Sequence, residues 1–172
     1  MARIHLYVAA SLDGYIATPD GGVAWLEPFN GHDYGYKDFL AGIDTVVFGR
    51  ATYDQCLTFG TWPYPGKRSI VLSSRELGEA PDGVERWTGT VPDLVKELRG
   101  TERDVWIIGG ALTQRAFLDL EAVDRMELFV MPVLLGDGVP LWPKTTMRET
   151  VILEDATRME GDVVRLTYIW RR

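Results

Sequence analysis

The chain has 172 residues, a length typical of a single domain that buries a substantial core. Its formal net charge of −7 argues against nucleic acid or an anionic membrane as the main partner. Asp13 and Gly14 soon break the N-terminal apolar run, and no stretch approaches the ~20 apolar residues of a transmembrane helix, so we expect neither export nor membrane insertion. The single cysteine, Cys56, cannot form an internal disulfide, and we expect a cytoplasmic protein.

Strands and helices alternate through most of the chain. Apolar and β-branched runs predict, in chain order, the strands Ile4–Ala10, Ile43–Phe48, Lys67–Leu72, Val84–Thr88, Val105–Ile108, Arg125–Met131, Val151–Met159 and Val163–Trp170. Apolar residues at helical spacing predict the helices His32–Leu40, Ala51–Phe59, Val91–Arg99 and Ala111–Leu118. The alternation, followed by a hairpin signal at Glu160–Asp162, indicates a single three-layer α/β/α domain over residues 1–172. Its mixed sheet is mostly parallel and ends in an antiparallel hairpin.

Three of the predicted strands end in residues that suit an anionic ligand. Gly109-Gly110 separates a strand from a helix, where glycine lets the backbone approach a phosphate, although a tight turn without a ligand explains the pair equally well. Arg50, after Gly49, either pairs with a phosphate or forms a surface salt bridge. Ser73-Ser74 suit a phosphate monoester or a helix cap. Because ligands of open α/β sheets bind outside the carboxyl ends of the strands, the three junctions together favour a phosphate-bearing, nucleotide-like ligand.

Five blocks of the sequence point to one family. They are VAASLDGYIA, VVFGRATYD, PGKRSIVLSS, WIIGGALTQRAFL and PVLLGDGVPLW. In order and spacing they resemble the dihydrofolate-reductase-like superfamily, and within it the group containing the reductase domain of bifunctional riboflavin-biosynthesis proteins. The resemblance spans nearly the whole chain. It implies an eight-stranded mixed sheet flanked by helices, with NADPH bound across the strand ends.

The resemblance also implies roles for individual residues. Ala9 and Ile16 would line the nicotinamide region, and Ser73 and Ser74 would lie beside the adenosine 2′-phosphate. The residues that would hold the other phosphates of the cofactor are Gly49, Arg50, Thr52, Gly109, Gly110, Ala111, Leu112 and Thr113.

Three positions depart from the pattern of dihydrofolate reductases. Leu112 and Gln114 stand where that pattern has an arginine and a tyrosine, and Lys67 stands where an arginine grips the glutamate tail of folate. Lysine is a point charge and cannot supply the bidentate fork of a guanidinium. The departures argue against folate as the natural substrate.

Hydride transfer requires the protein to align the reactants and to supply one proton. Asp13 and Asp33 are the candidates for this catalytic role. The folate enzymes use a buried carboxylate on the helix before the Gly-Arg strand, and Asp33 is the nearest match, with Asp38 as a second possibility. Asp13 equally suits a turn with Gly14, and Asp33 a solvated helix start. Two histidines and one cysteine without ligand spacing predict no metal site.

The sequence thus predicts an NADPH-dependent reductase of a small pteridine- or pyrimidine-like heterocycle, with Trp25, Tyr53 and Lys67 beside the substrate. Trp25, in the loop Val23–Phe29, is either a lid over the pocket or a plug for the core. The alternatives are a riboflavin-pathway 5-amino-6-(5-phosphoribosylamino)uracil reductase and a non-catalytic nucleotide-binding module. Members of the group that this chain resembles commonly form homodimers. We therefore expect a homodimer whose interface uses the connection Pro132–Pro143 and the C-terminal strands.

Overall fold

The structure is a computed structural model that describes residues 1–144 and 148–170. Its strands are β1 (Ile4–Ser11), β2 (Tyr15–Ala17), β3 (Ile43–Gly49), β4 (Arg68–Leu72), β5 (Val84–Trp87), β6 (Asp104–Gly109), β7 (Arg125–Met131), β8 (Val139–Pro140), β9 (Ile152–Arg158) and β10 (Val164–Ile169). Its α-helices are α1 (Tyr36–Gly42), α2 (Arg50–Leu57), α3 (Val91–Arg99) and α4 (Ala111–Asp119). β2 and β8 form a small sheet of their own, and the other strands form one eight-stranded sheet.

The order of the large sheet is β5-β4-β3-β6-β1-β7-β10-β9. Neighbouring strands from β5 to β7 are parallel, and β10 is antiparallel to both β7 and β9. The predicted mixed, mostly parallel sheet with a C-terminal antiparallel hairpin is confirmed. Because the strands from β5 to β7 share one direction, their carboxyl ends meet along one edge of the sheet, which we call the carboxyl edge.

The strands bury apolar side chains on both faces of the sheet. On one face, Val47 of β3 and Ile107 of β6 belong to a core that includes side chains of α3 and α4. On the other face, Phe48 of β3 and Trp106 of β6 pack with Tyr53 of α2. Helices therefore cover both faces, and the predicted three-layer arrangement is confirmed.

The segment before α1 differs from the prediction. Ala24–Phe29 is a short 3₁₀ helix rather than an open loop, and α1 begins at Tyr36 rather than His32. Tyr34 and Gly35 have φ angles of 53° and 83°, in the left-handed region, which cannot continue a right-handed helix. The chain between the 3₁₀ helix and α1 is therefore a loop, and we call it the α1 loop.

The junctions β3–α2 and β6–α4 lie against each other. Phe48 of β3 pairs with Gly109 of β6, and the peptide bond between Gly109 and Gly110 is cis. A Cβ atom at Gly49 would lie 2.5 Å from Thr113 Oγ1 and 3.5 Å from the Gly109 carbonyl oxygen and the Gly110 nitrogen. A residue without a Cβ is therefore needed for the two junctions to approach so closely.

We expect Gly49→Ala to destabilise the protein by about 1–3 kcal/mol, because the new methyl group overlaps Thr113 Oγ1 in a packed region. Thr113 is buried, so its side chain has little room to move. The measurement is the free energy of unfolding in urea for Gly49→Ala, Thr113→Ala and the double variant. In the Thr113→Ala background, Gly49→Ala should cost much less.

Gly42→Ala is the matched control, because no atom lies within 4 Å of a Cβ built at Gly42. It should not destabilise the protein. Strictly additive effects of Gly49→Ala and Thr113→Ala would show that this contact does not limit the approach of the junctions.

Candidate functional site

Two clefts open toward the carboxyl edge of the sheet, and both are lined by Tyr7, Ala9 and Leu26. The larger, the aromatic cleft, has a volume of about 760 Å³, and the smaller, the glycine cleft, about 520 Å³. Rings that line the aromatic cleft are Phe29, Tyr34, Tyr36, Tyr64, Trp106 and Phe129. Residues that line the glycine cleft include Ile16, Asp20, Gly21, Thr52, Gly110 and Ala111. The shared residues make the clefts two parts of one continuous site.

Two helix N-termini at the glycine cleft have no side-chain cap. The first turns of α2 and α4 line the cleft through Thr52 and Ala111. Their N-cap residues, Gly49 and Gly110, cannot accept hydrogen bonds from the first-turn N–H groups through a side chain. α3 differs, because the side chain of its N-cap Thr90 accepts a hydrogen bond from a backbone N–H of its first turn. The uncapped N–H groups and the positive dipole ends of α2 and α4 suit a phosphate or pyrophosphate, so the residues present fit a dinucleotide cofactor.

Arg50 and Ser73 come together at the carboxyl ends of β3 and β4. Arg50 Nη1 donates to Ser73 Oγ at 3.4 Å, and Arg50 Nε donates to Asp54 Oδ1 at 2.7 Å. The salt bridge that the sequence allows for Arg50 is thus present, and the guanidinium also lies beside the serine pair. Arg86 Nη1 donates to the carbonyl oxygen of Ser74 at 3.5 Å, which adds a second guanidinium. Arg50 Nη1 also donates to the Glu76 carbonyl oxygen at 2.9 Å, and Arg86 pairs with the Glu76 carboxylate. Two guanidinium groups beside the Ser73 hydroxyl suit a phosphate monoester.

Tyr7 lies at the border between the two clefts. Its ring stacks on Phe39 with a centroid distance of 4.2 Å, and it contacts the rings of Phe129 at 4.7 Å and Trp106 at 5.9 Å. Its hydroxyl donates to the Tyr34 carbonyl oxygen at 3.4 Å. Burial raises the pKa of the Tyr7 phenol, which therefore stays protonated and able to donate a hydrogen bond.

Asp33 is a carboxylate in the lining of the aromatic cleft. It lies on the α1 loop, exposed to solvent, and its charge contributes to the raised pKa of Tyr7. Two contacts join the α1 loop to the C-terminal hairpin. Tyr34 Oη donates to the Glu160 carbonyl oxygen at 3.2 Å, and His32 Nδ1 contacts the Glu160 carboxylate. Asp33 is thus held at the mouth of the cleft with access to water, an arrangement suited to proton transfer.

Asp13 lies outside the linings of both clefts and binds backbone groups instead. Its Oδ1 accepts from the Ser11 hydroxyl at 2.6 Å and from the Leu135 N–H at 3.1 Å, and its Oδ2 accepts from the Gly136 N–H at 2.7 Å. The Ser11 hydroxyl and these N–H groups lower the pKa of Asp13. The carboxylate therefore stays ionised near neutral pH, and its geometry favours the turn interpretation: it joins the end of β1 to the chain before β8.

The residues expected beside the substrate also lie outside the linings of both clefts. Trp25 packs in an apolar cluster with side chains of β7, which corresponds to the core-plug alternative. The Tyr53 side chain is fully buried and packs against the face of the sheet that carries Phe48 and Trp106. Lys67 Nζ donates to the carbonyl oxygens of Leu40 at 2.9 Å and Ile43 at 2.5 Å, so its charge is directed at the backbone where α1 ends.

The cofactor residues expected from the sequence are partly brought together. Five of them line the glycine cleft, namely Ala9, Ile16, Thr52, Gly110 and Ala111. The others do not line this cleft. Gly49 and Thr113 lie against each other, and Gly109 is the last residue of β6. The side chain of Leu112, on α4, is 74% exposed.

Sequence reasoning missed the rings of the aromatic cleft. Tyr7 follows His5 at the two-residue spacing of one strand face, and Trp106 pairs with both Val46 and His5 across the sheet. The alternation of β1 and β6 therefore places Tyr7 and Trp106 on the same face of the sheet. That signal is present in the sequence. The other rings of the cleft come from the 3₁₀ helix, the α1 loop, α1, the chain before β4 and β7, which no local pattern brings together.

Within residues 1–144 and 148–170, no group of three or more His, Cys, Asp or Glu side chains comes together as a metal site. No helix there has the length and apolar character that crossing a membrane requires.

Comparison with known proteins identifies the family. The model of the RibD C-terminal domain matches residues 2–165. The uncharacterized protein YwjB of Bacillus subtilis is 34% identical over 173 residues, with 95% of each chain covered. Dihydrofolate reductase of Mycobacterium leprae is 36% identical over 121 residues, which cover 70% of this chain and 68% of that protein.

One solved structure is similar over its whole length. The crystal structure of a putative riboflavin biosynthesis protein from Shewanella sp. PV-4 has a TM-score of 0.87 and 31% identity, with 100% of both chains covered. Together with the match over residues 2–165, this similarity shows that the chain belongs to the RibD C-terminal domain family, within the dihydrofolate-reductase-like superfamily.

Proposed function

We propose that the protein is an NADPH-dependent reductase that transfers a hydride to a small planar heterocycle of the pteridine or pyrimidine class. The observation that carries the proposal is the continuity of two chemically different clefts at Tyr7 and Ala9. One cleft offers uncapped helix N-termini for phosphates, and the other offers aromatic rings and a carboxylate for a planar acceptor. The family membership and the similarity to a dihydrofolate reductase support a reductase.

In this proposal the glycine cleft and the adjacent strand ends bind the cofactor, which supplies the hydride when bound. The first-turn N–H groups of α2 and α4, with the Thr52 hydroxyl, bind the pyrophosphate. Arg50 and the hydroxyls of Ser73 and Ser74 bind the 2′-phosphate. Ala9 has a small side chain at the border of the clefts, which leaves room for the two reacting rings to approach each other.

In the aromatic cleft, the proposed proton donor or relay is Asp33, which has access to water at the mouth. Tyr7 is placed to orient the acceptor, since its phenol remains protonated and lies where the clefts meet. The rings around the cleft provide stacking surfaces and exclude water from the reacting atoms. A non-catalytic nucleotide-binding module remains the alternative, and it differs by binding NADPH without turning over any acceptor.

We expect Arg50→Met to weaken NADPH binding by roughly 10- to 100-fold and to leave NADH binding nearly unchanged. The guanidinium would pair with the 2′-phosphate, which NADH lacks. The measurement is the dissociation constant for each cofactor from quenching of tryptophan fluorescence. Arg68→Met is the control, since Arg68 begins β4 and pairs with Glu85 and Glu97. Equal weakening of NADPH and NADH would assign Arg50 a structural role.

We expect Asp33→Asn to lower the single-turnover rate of NADPH oxidation by about 100-fold or more at neutral pH, because the amide cannot supply a proton. NADPH affinity should not change. The acceptor is selected from dihydropterins and oxidised pyrimidines by loss of the reduced-nicotinamide absorbance. Asp13→Asn is the comparison: it loosens the Leu135 and Gly136 contacts and should affect stability more than the single-turnover rate. A normal rate for Asp33→Asn would remove this residue from the chemistry.

We also propose a homodimer. Leu12 and Leu134 are 62% and 71% exposed, and the Leu12 N–H donates to the Val133 carbonyl oxygen, so the two leucines belong to adjoining segments. Exposed apolar side chains in adjoining segments suit a protein interface. Sedimentation equilibrium should give twice the chain mass of 19.3 kDa, and Leu134→Asp should shift the mass toward the monomer. A wild-type monomer at micromolar concentration would exclude the dimer.

A further inference from the structure

We propose that the acceptor bound in the aromatic cleft is a planar heterocycle without a phosphate or other anionic tail. This inference rests on the proposed reductase function and narrows its substrate. It separates the protein from a reductase of a phosphoribosyl-aminopyrimidine and from a reductase of folate, whose glutamate tail is anionic.

Lys67 and Arg68 do not line the aromatic cleft, and both are engaged elsewhere. Lys67 donates to the carbonyl oxygens of Leu40 and Ile43, so its ammonium group is held by the backbone. Arg68 pairs with Glu85 at 2.5 Å and with Glu97 at 2.6 Å. Releasing either cation to a substrate would leave these acceptors without their partner.

The lining of the aromatic cleft carries little net positive charge. The basic residues of this lining are His32 and Lys37. His32 contacts the carboxylate of Glu160, and Lys37 is an exposed side chain in the same lining as Asp33. Arg165 lies close to Gly35 of the α1 loop and its charge acts on Tyr7, but its Nη2 donates to Asp155 Oδ2 at 3.3 Å and it does not line the cleft. Among the residues that line the cleft, an entering anion would therefore meet the Asp33 charge and one solvated lysine.

The rest of the lining favours an uncharged ring system. Six rings in addition to Tyr7 surround a volume of about 760 Å³, which lies within the range of about 300–1,000 Å³ that encloses a drug-sized ligand. Rings of this kind bind a planar partner by stacking. The groups that suit phosphate lie instead at the N-termini of α2 and α4 and around Arg50. The site therefore separates an anionic cofactor from an uncharged acceptor.

The test uses two matched probe pairs that differ by one anionic group: pterin with pterin-6-carboxylate, and riboflavin with riboflavin 5′-phosphate. Binding of each probe is followed by its own fluorescence, with and without saturating NADP⁺, which occupies the glycine cleft if the proposed function is right. We expect the neutral member of each pair to bind about tenfold or more tightly than the anionic member. Equal or tighter binding of the anionic members, or no binding of any probe, would overturn the proposal.

The second measurement uses a variant that adds a positive charge to the lining of the aromatic cleft. Asn30 lines the aromatic cleft and is exposed, so Asn30→Lys can add a cation without disturbing the core. It should raise the affinity for the anionic members about fivefold and leave the neutral members unchanged. Asn30→Gln is the matched control and should change neither. A different result would contradict the proposal. If the wild-type protein binds both members of each pair equally well, and Lys37→Met weakens the binding of the anionic members alone, then Lys37 binds substrate anions.

The two proposals fail separately. Absence of NADPH binding, with the preference for neutral probes intact, would reject the reductase function but retain an uncharged ligand for the cleft. Tight NADPH binding together with a preference for the anionic probes would retain the reductase and reject the uncharged acceptor.

Discussion

The close approach of two strand-to-helix junctions determines the geometry of the glycine cleft. Gly49 lies against Thr113 and the Gly109-Gly110 step, with no space for a Cβ atom. This contact brings the N-termini of α2 and α4 together at the carboxyl edge. Neither helix has a side-chain cap, so their N–H groups are available to an outside partner. The same glycines thus meet a packing requirement of the sheet and leave the helix N-termini in a form suited to an anion.

The second cleft depends on a different constraint, the alternation of side chains along β1. Tyr7 and Ala9 point to the same face, since they are two residues apart in one strand. Tyr7 packs against rings of α1, β6 and β7, whereas Ala9 leaves space beside it. A large side chain at position 9 would fill the border that the clefts share. The alternation of one large and one small residue therefore both supports the core and keeps the clefts continuous.

The sequence predicts the sheet well because β3 and β6 are buried on both faces, which gives unbroken apolar runs. It also predicts that the ends of β3, β4 and β6 meet at one edge, since strands of one direction must end together. The start of α1 is not predictable in the same way, because Tyr34 adopts a left-handed conformation that nothing in its residue type requires. The aromatic cleft could not be predicted from the sequence for a different reason. Its lining combines β1, β6, β7, the α1 loop and Tyr64, and only tertiary packing brings these segments together.

The different fates of Arg50 and Lys67 show why residue type alone does not identify a site. Arg50 follows β3 and reaches Ser73, just beyond β4, at the carboxyl edge. Lys67 precedes β4, at the other end of that strand, where the start of β3 and the end of α1 present carbonyl oxygens to its ammonium group. A cation at that end satisfies the backbone, whereas a cation at the carboxyl edge lies beside uncapped helix N-termini that already attract anions. The direction of the strands thus decides which positive charges lie at the carboxyl edge: Arg50 lies there, and Lys67 does not.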